Sequence, residues 1–272
     1  MTGLLTRPAL DITHGPTAPR AFADRLTEAG GRLVITFPDP AAHQRNLSCA
    51  LGLLSALGPV LGVYPADGCW SALRVRTDAD PNRTHGTGEN RLHADLVDRE
   101  LIPRHIALYC EREDPFGGGA SALADLWAAV GELTRAEREL LARPVFSYFT
   151  DDGVHGVGDP VERFPVLSSA ADPAAGPVRF TAKALPHLER GELLHTGPGD
   201  AAPTVAAYRR LAQAALAHRT TVRLAPGQLL VFDQWRHAHG RMPLGPGQHR
   251  LPEDGRRLLW QTYTGAPAGG AR

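Results

Sequence analysis

Residues 228–241 read Gln-Leu-Leu-Val-Phe-Asp-Gln-Trp-Arg-His-Ala-His-Gly-Arg. The first five form a short apolar run entered from a Pro226-Gly227 turn. That is too short for a helix and suits a buried strand. The remainder predicts a turn ending at His239. Similar runs lie on either side, at Thr221–Leu224 and Arg257–Tyr263, again bounded by Pro-Gly turns. Earlier in the chain, Arg32–Phe37 and Ser71–Arg76 are strand-like. Ile106, Leu108 and Cys110 alternate with Ala107 and Tyr109, as a strand requires. Helices are predicted at about 19–29, 43–57, 123–133 and 204–218, with another opened by the capping box Thr134/Glu137. Residues 145–150 are aromatic and β-rich, and 151–202 predict long loops with short strands. The C-terminal third lacks the strand–helix alternation of a parallel α/β sheet. The fold class is therefore mainly β with helices: a sandwich or jelly-roll core flanked by helices.

Composition narrows the function classes. The 272 residues carry 29 basic and 29 acidic side chains, for zero formal net charge, and Lys183 is the only lysine. Balanced charge argues against a non-specific nucleic-acid binder or a polybasic membrane binder. An apolar content of 43% excludes a disordered chain. No apolar run approaches the roughly 20 residues of a membrane helix. The first 16 residues lack the basic and apolar regions of a secretory signal. Three scattered cysteines without a CxxC pair fit a reducing cytoplasm. One domain spanning 1–272 is expected.

The sharpest chemical feature is Leu92-His93-Ala94-Asp95. On a strand, His93 and Asp95 would share a face, and an imidazole with a carboxylate suits a divalent metal such as Fe(II). The triplet alone is weak, since about 0.75 His-x-Asp triplets are expected by chance at this composition. His187-Leu-Glu189 and His237-Ala-His239 are rivals. The order of features adds weight. After His93-Ala-Asp95 come the strand 105–110, the segment Gly117-Gly-Gly-Ala-Ser-Ala-Leu-Ala-Asp125, the stretch ending in His239-Gly-Arg241, and Gly255-Arg-Arg-Leu-Leu-Trp260.

From about Arg74 to Tyr263 this order resembles the taurine dioxygenase / clavaminate synthase-like superfamily of Fe(II)- and 2-oxoglutarate-dependent oxygenases, with a variable stretch between Val145 and Thr220. The resemblance implies a double-stranded β-helix core at about 71–264, with a helical and loop insertion at about 120–220. It implies Fe(II) ligands at His93, Asp95 and His239, and 2-oxoglutarate and O2 as co-substrates. It puts the Ser121 hydroxyl near 2-oxoglutarate and an arginine on the co-substrate's far carboxylate. Arg257 is the first choice for that arginine and Arg256 the second. Both lie further past His239 than the family's spacing, and Arg250 is a third candidate in a loop. Gln261 stands where some members carry a second arginine. A planar guanidinium pairs with a carboxylate bidentately, which lysine does poorly. Because Asp95 keeps the carboxylate that halogenating members replace, hydroxylation is the expected outcome, with desaturation or cyclisation as alternatives.

Asn90, Arg76 and Trp235 are the candidate substrate contacts, with Arg74 and Arg83 on the same stretch as Arg76. The expected substrate is a small molecule: an amino acid, an amino-acid derivative or a natural-product intermediate. A carrier-protein-bound amino acid is a compatible form. Nucleic acid and membrane are not expected partners. A zinc hydrolase using the same ligands and a non-catalytic jelly-roll binding module are the competing classes. The chain has neither HExxH nor GxSxG.

Overall fold

The computed structural model describes residues 9–11 (backbone only), 19–64, 68–148, 154–197 and 199–266. Eleven strands are formed among them: β1 (Ala9–Asp11), β2 (Arg32–Thr36), β3 (Val60–Leu61), β4 (Ser71–Arg74), β5 (Asn90–His93), β6 (His105–Arg112), β7 (Ser121–Asp125), β8 (Arg219–Val222), β9 (Gln228–Asp233), β10 (His237–Arg241) and β11 (Leu258–Thr264). The α-helices are α1 (Pro19–Glu28), α2 (His43–Leu54), α3 (Leu126–Gly131), α4 (Arg135–Leu141), α5 (Leu185–Glu189) and α6 (Ala201–Ala217). None is long and apolar enough to cross a membrane.

The strands form two facing sheets. The larger runs β1-β2-β9-β6-β11, and the free edge of β11 is shared by β4 and β3. The smaller runs β5-β10-β7-β8. Apart from the parallel β1–β2 pair, the pairings are antiparallel.

Alternation along β6 and β9 explains how the larger sheet is buried on both faces. Ile106, Leu108, Cys110, Leu230 and Phe232 enter the core between the sheets with Leu123 and Leu259. Their neighbours Ala107, Tyr109, Leu229 and Val231 pack outward against Phe22 and Leu26 of α1 and Leu47 and Leu54 of α2. The smaller sheet has its own backing. Leu92, Ala122, Ala124 and Ala238 meet α3 and α6, with Tyr208 and Leu211 at the contact.

Three sequence expectations are corrected here. The run 123–133 is not one helix. Residues 121–125 form β7, and the helix begins at Leu126, where the Asp125 carboxylate accepts a hydrogen bond from the Ala128 N–H at 3.1 Å. The Ala-Leu composition favours a helix, but pairing on both edges with β10 and β8 overrides that propensity. The core does not begin at 71, because β2 pairs with β9 along its whole length. The helical and loop segment expected from about 120 starts after β7 instead, with α3 to α6 lying between β7 and β8. Finally, His237–Arg241 is a strand rather than a turn.

The capping box is present as expected, with Thr134 and Glu137 each bonding the other's backbone N–H. The aromatic run from 145 makes only isolated bridges through Phe146, and its end at 149–150 lies outside the described residues, as do 151–153 and 198 of the long loop region.

Candidate metal centre and cavity

The site begins with strand register. Antiparallel pairing of β5 with β10 sets His239 opposite His93, with ring centroids 4.4 Å apart. One step along, the irregular pairing sets Arg241 opposite Asn90, and β7 brings Ser121 opposite Arg241.

Asp95 arrives differently from expectation. The strand ends at His93, and the Ala94 N–H leaves β10's side to bond the Phe180 carbonyl at 2.8 Å. Asp95 therefore sits on a turn, followed by Leu96 with φ of +60°. That left-handed conformation is uncommon for a branched side chain and redirects the backbone at the site. The Asp95 N–H donates to Gln234 Oε1 at 2.9 Å, and Gln234 Nε2 donates to the Pro103 carbonyl at 2.6 Å. His93, Asp95 and His239 end with one donor atom each, all within 4.8 Å of one another.

Proton positions follow from partners. His93 Nδ1 lies 2.7 Å from the Arg91 carbonyl, which can only accept, so Nδ1 carries a hydrogen and Nε2 is the ring nitrogen turned to Asp95. That Nε2 is 3.3 Å from Asp95 Oδ1, and His239 Nε2 is 3.6 Å from Asp95 Oδ2. Burial, outweighing the pull of Asp95, pushes the His239 imidazole down to about 3, so it is neutral. Burial alone would raise the Asp95 carboxyl. Against this, the Gln261 amide and the Tyr263 hydroxyl donate to its Oδ2 and favour the charged carboxylate. Two imidazoles and a carboxylate converge within 4.8 Å, an arrangement that a cation satisfies. Two imidazoles and a carboxylate are the donor set that suits Fe(II) while leaving coordination positions open.

The three residues sit in the wall of a cavity of about 860 Å3. Arg257, Leu259, Gln261 and Tyr263 also line it, at every second position along β11 and its entry. Arg257 is buried, and burial lowers its guanidinium to about 10, leaving it charged at neutral pH. No carboxylate among the described residues comes within ion-pair distance of it. Gly119, with φ of +68°, makes room: a Cβ there would stand 3.0 Å from Arg257 Cδ and 2.6 Å from Leu244 Cδ2. Ser121 and Asn90 are buried on the cavity wall, and Asn90 Oδ1 has no hydrogen-bond partner.

Three sequence candidates do not reach the cavity. Arg256 has the opposite parity to Arg257 and donates through Nε and Nη2 to the Leu251 carbonyl. Arg76 is exposed and paired with Asp78 at 3.2 Å. Trp235 turns away from His239, donates its indole N–H to the Ile102 carbonyl at 3.2 Å and carries the Arg104 guanidinium on its ring. The rival His237 faces away from the cavity, with Nδ1 3.2 Å from the Asp233 carbonyl. Of the arginines before the metal motif, Arg83 lines the cavity.

Several cavity residues escaped the sequence reading. Thr181, bridged antiparallel to His93, brings Lys183 to the wall, Tyr148 joins it, and the rival His187 lines the cavity apart from the three converging donors. Nothing in the Gly/Pro-rich sequence marks this return. Gln261 and Tyr263 do carry a signal, since they share parity with Arg257.

Comparison with known proteins agrees with this geometry. The family model described as Taurine catabolism dioxygenase TauD, TfdA family matches residues 16–263. An asparagine oxygenase solved with Fe(II), 3-hydroxyasparagine and succinate has a TM-score of 0.69 at 21% identity, covering 91% of this chain and 78% of that one. The non-heme iron oxygenase OrfP, solved with Fe and alpha-ketoglutaric acid, gives 0.69 at 15% identity, covering 91% and 82%. At these identities the likeness is one of fold, whereas the family match spans nearly the whole chain. The chain belongs to the taurine catabolism dioxygenase TauD, TfdA family and is an Fe(II)- and 2-oxoglutarate-dependent dioxygenase.

Proposed function

We propose that His93, Asp95 and His239 hold the Fe(II), that Arg257 and Ser121 hold 2-oxoglutarate, and that the enzyme hydroxylates an amino acid or amino-acid derivative in the remaining cavity. The observation carrying this reading is the convergence of two imidazoles and a carboxylate beside a buried guanidinium that lacks a carboxylate within ion-pair distance among the described residues. When bound, iron supplies oxidising power, coupling conversion of 2-oxoglutarate and O2 to succinate and CO2 with oxidation of a substrate C–H bond. The chain's own residues do the positioning. His93 is fixed in its tautomer by the Arg91 carbonyl, and the cationic Arg257 is matched in shape and charge to a carboxylate. Asn90 Oδ1, buried and unpaired, offers an acceptor to a substrate N–H or O–H.

The substrate class draws on the fold neighbours. One was solved with 3-hydroxyasparagine and another with 3-hydroxy-L-Arg. The cavity suits such a ligand, because Arg83, Lys183, His85 and Asn90 give it a polar wall. A carrier-bound amino acid is a second form the open cavity accommodates. We read the two sheets with their helices as one domain. The three cysteines, none disulfide-bonded, accord with a reducing cytoplasm.

The test is anaerobic addition of Fe(II) and 2-oxoglutarate to the purified protein, followed by the visible charge-transfer band of a chelated 2-oxo acid. The band is expected in the wild type and absent in His93→Ala and Asp95→Ala. No band with iron shown to be bound would overturn the reading. Succinate formation across a panel of amino acids and their amides then selects the substrate, with stimulation above the substrate-free rate as the positive result.

A further inference from the structure

Of the three converging residues, Asp95 is the one no strand holds, yet its carboxylate is the most firmly oriented. Gln261 Nε2 lies 3.0 Å from Asp95 Oδ2 and 2.6 Å from Tyr263 Oη, and Tyr263 Oη lies 2.9 Å from the same Oδ2. One assignment of hydrogens satisfies this triangle. The amide has two N–H donors and gives one to each acceptor. The phenol accepts from the amide and donates its own hydrogen to the carboxylate. With the amide reversed, its oxygen would face a carboxylate, so Asp95 fixes its orientation. Tyr263 is buried, and at 2.9 Å from a carboxylate oxygen its phenol is the partner with a hydrogen to give. Oδ2 thus receives two hydrogen bonds. Oδ1 receives none of these and lies 3.3 Å from His93 Nε2.

We propose that Gln261 and Tyr263 are positioning residues for the metal. By holding Oδ2, they fix the carboxylate with Oδ1 beside His93 Nε2 and leave Oδ1 as the oxygen free to ligate. The proposal rests on the reading of His93, Asp95 and His239 as metal ligands and adds the device that orients the loop-borne one. It also gives β11 two tasks on one face: Arg257 toward the co-substrate, and Gln261 with Tyr263 toward the metal ligand. The residues holding a ligand set its geometry and commonly change metal affinity by roughly 10–100-fold when removed.

The test measures Fe(II) affinity anaerobically by chelator competition, without 2-oxoglutarate or turnover, on the wild type, Tyr263→Phe, Gln261→Leu and the double variant. Each single variant is expected to bind Fe(II) roughly tenfold or more weakly. The double variant is expected to lose less than the product of the singles, because the two side chains share one network. The melting temperature of the metal-free protein is the control for a merely structural role. A lowered melting temperature with wild-type affinity overturns the proposal. Tyr263→Phe removes a single oxygen and carries the test alone if Gln261→Leu does not fold. His93→Ala separates the two levels of inference. If it abolishes binding while the clamp variants bind as wild type, only the clamp fails. If it too binds as wild type, the metal-site reading falls.

Discussion

At the residue scale, the choice between two adjacent arginines shows what physical chemistry adds to spacing. Arg256 and Arg257 are equivalent in composition, but strand parity sends one into the cavity and the other to the Leu251 carbonyl. A buried guanidinium with no carboxylate at ion-pair distance among the described residues is costly unless a ligand supplies the anion. Arg257→Lys keeps the charge and loses the planar fork, so the KM for 2-oxoglutarate should rise roughly tenfold to a hundredfold with Fe(II) affinity unchanged. Arg256→Ala should stay within about twofold of wild type by the same succinate assay. Equal effects from both would remove the assignment. A second residue-scale consequence concerns acid. Burial, with Arg104 adding to it, pushes His105 down to about 3, and burial pushes His237 down to about 4. In the unfolded chain both take up protons near 6.5, so between about 6.5 and those values the unfolded state holds more protons and stability falls as pH falls. Each histidine contributes at most about 1.4 kcal/mol per pH unit. Urea unfolding at pH 7, 6 and 5 should show this slope, and His105→Gln should flatten it by one histidine's share. An unchanged slope would mean that His105 is not buried as a neutral ring.

At the element scale, the pairing of β5 with β10 makes the candidate metal centre, because it is their register that sets His239 opposite His93. Gly240 permits the close approach. A Cβ there would meet the Asn90 carbonyl oxygen at 2.5 Å, a contact backbone cannot relieve cheaply. Gly240→Ala should therefore cost about 1–3 kcal/mol of stability and weaken Fe(II) binding together, as read by urea unfolding and metal titration. Wild-type affinity in a destabilised variant would show that this pairing does not set the ligand geometry. How much could be read from sequence follows the same elements. β6, β9 and β11 were legible because alternating apolar residues bounded by Pro-Gly turns leave few other readings. β7 was not, because Ala-Leu-Ala favours a helix until two neighbouring strands claim its backbone. The segment Phe180–Ala182 was invisible because it bonds β5 through backbone groups alone, Ala182 N–H to the Leu92 carbonyl and Ala94 N–H to the Phe180 carbonyl. Backbone pairing between distant segments leaves no side-chain pattern. The triad's residues were legible by type and order. What held Asp95 was not, since a turn has no period to read.

At the scale of the whole molecule, the candidate metal centre joins the two sheets. His93 and His239 stand on the smaller sheet, while the Asp95 carboxylate is bonded from β11 of the larger one. Gln234, fully buried, adds a third link between the β9–β10 turn, the Asp95 backbone and Pro103. A cation bound there favours the closed sandwich over any state in which the sheets part, so occupancy should appear as global stability. Mn(II), which takes imidazole and carboxylate donors, is a suitable probe under anaerobic conditions. At a free concentration about a hundred times its Kd, one site contributes about 2.7 kcal/mol. In a chain of this size that corresponds to a rise in Tm of roughly 5–10 °C. The shift should disappear in His93→Ala and shrink at fixed Mn(II) in Tyr263→Phe, whose weaker affinity leaves the site less occupied. An equal rise in wild type and His93→Ala would place the ion elsewhere. A wild type that binds Mn(II) tightly without any rise would show that the centre does not couple the sheets.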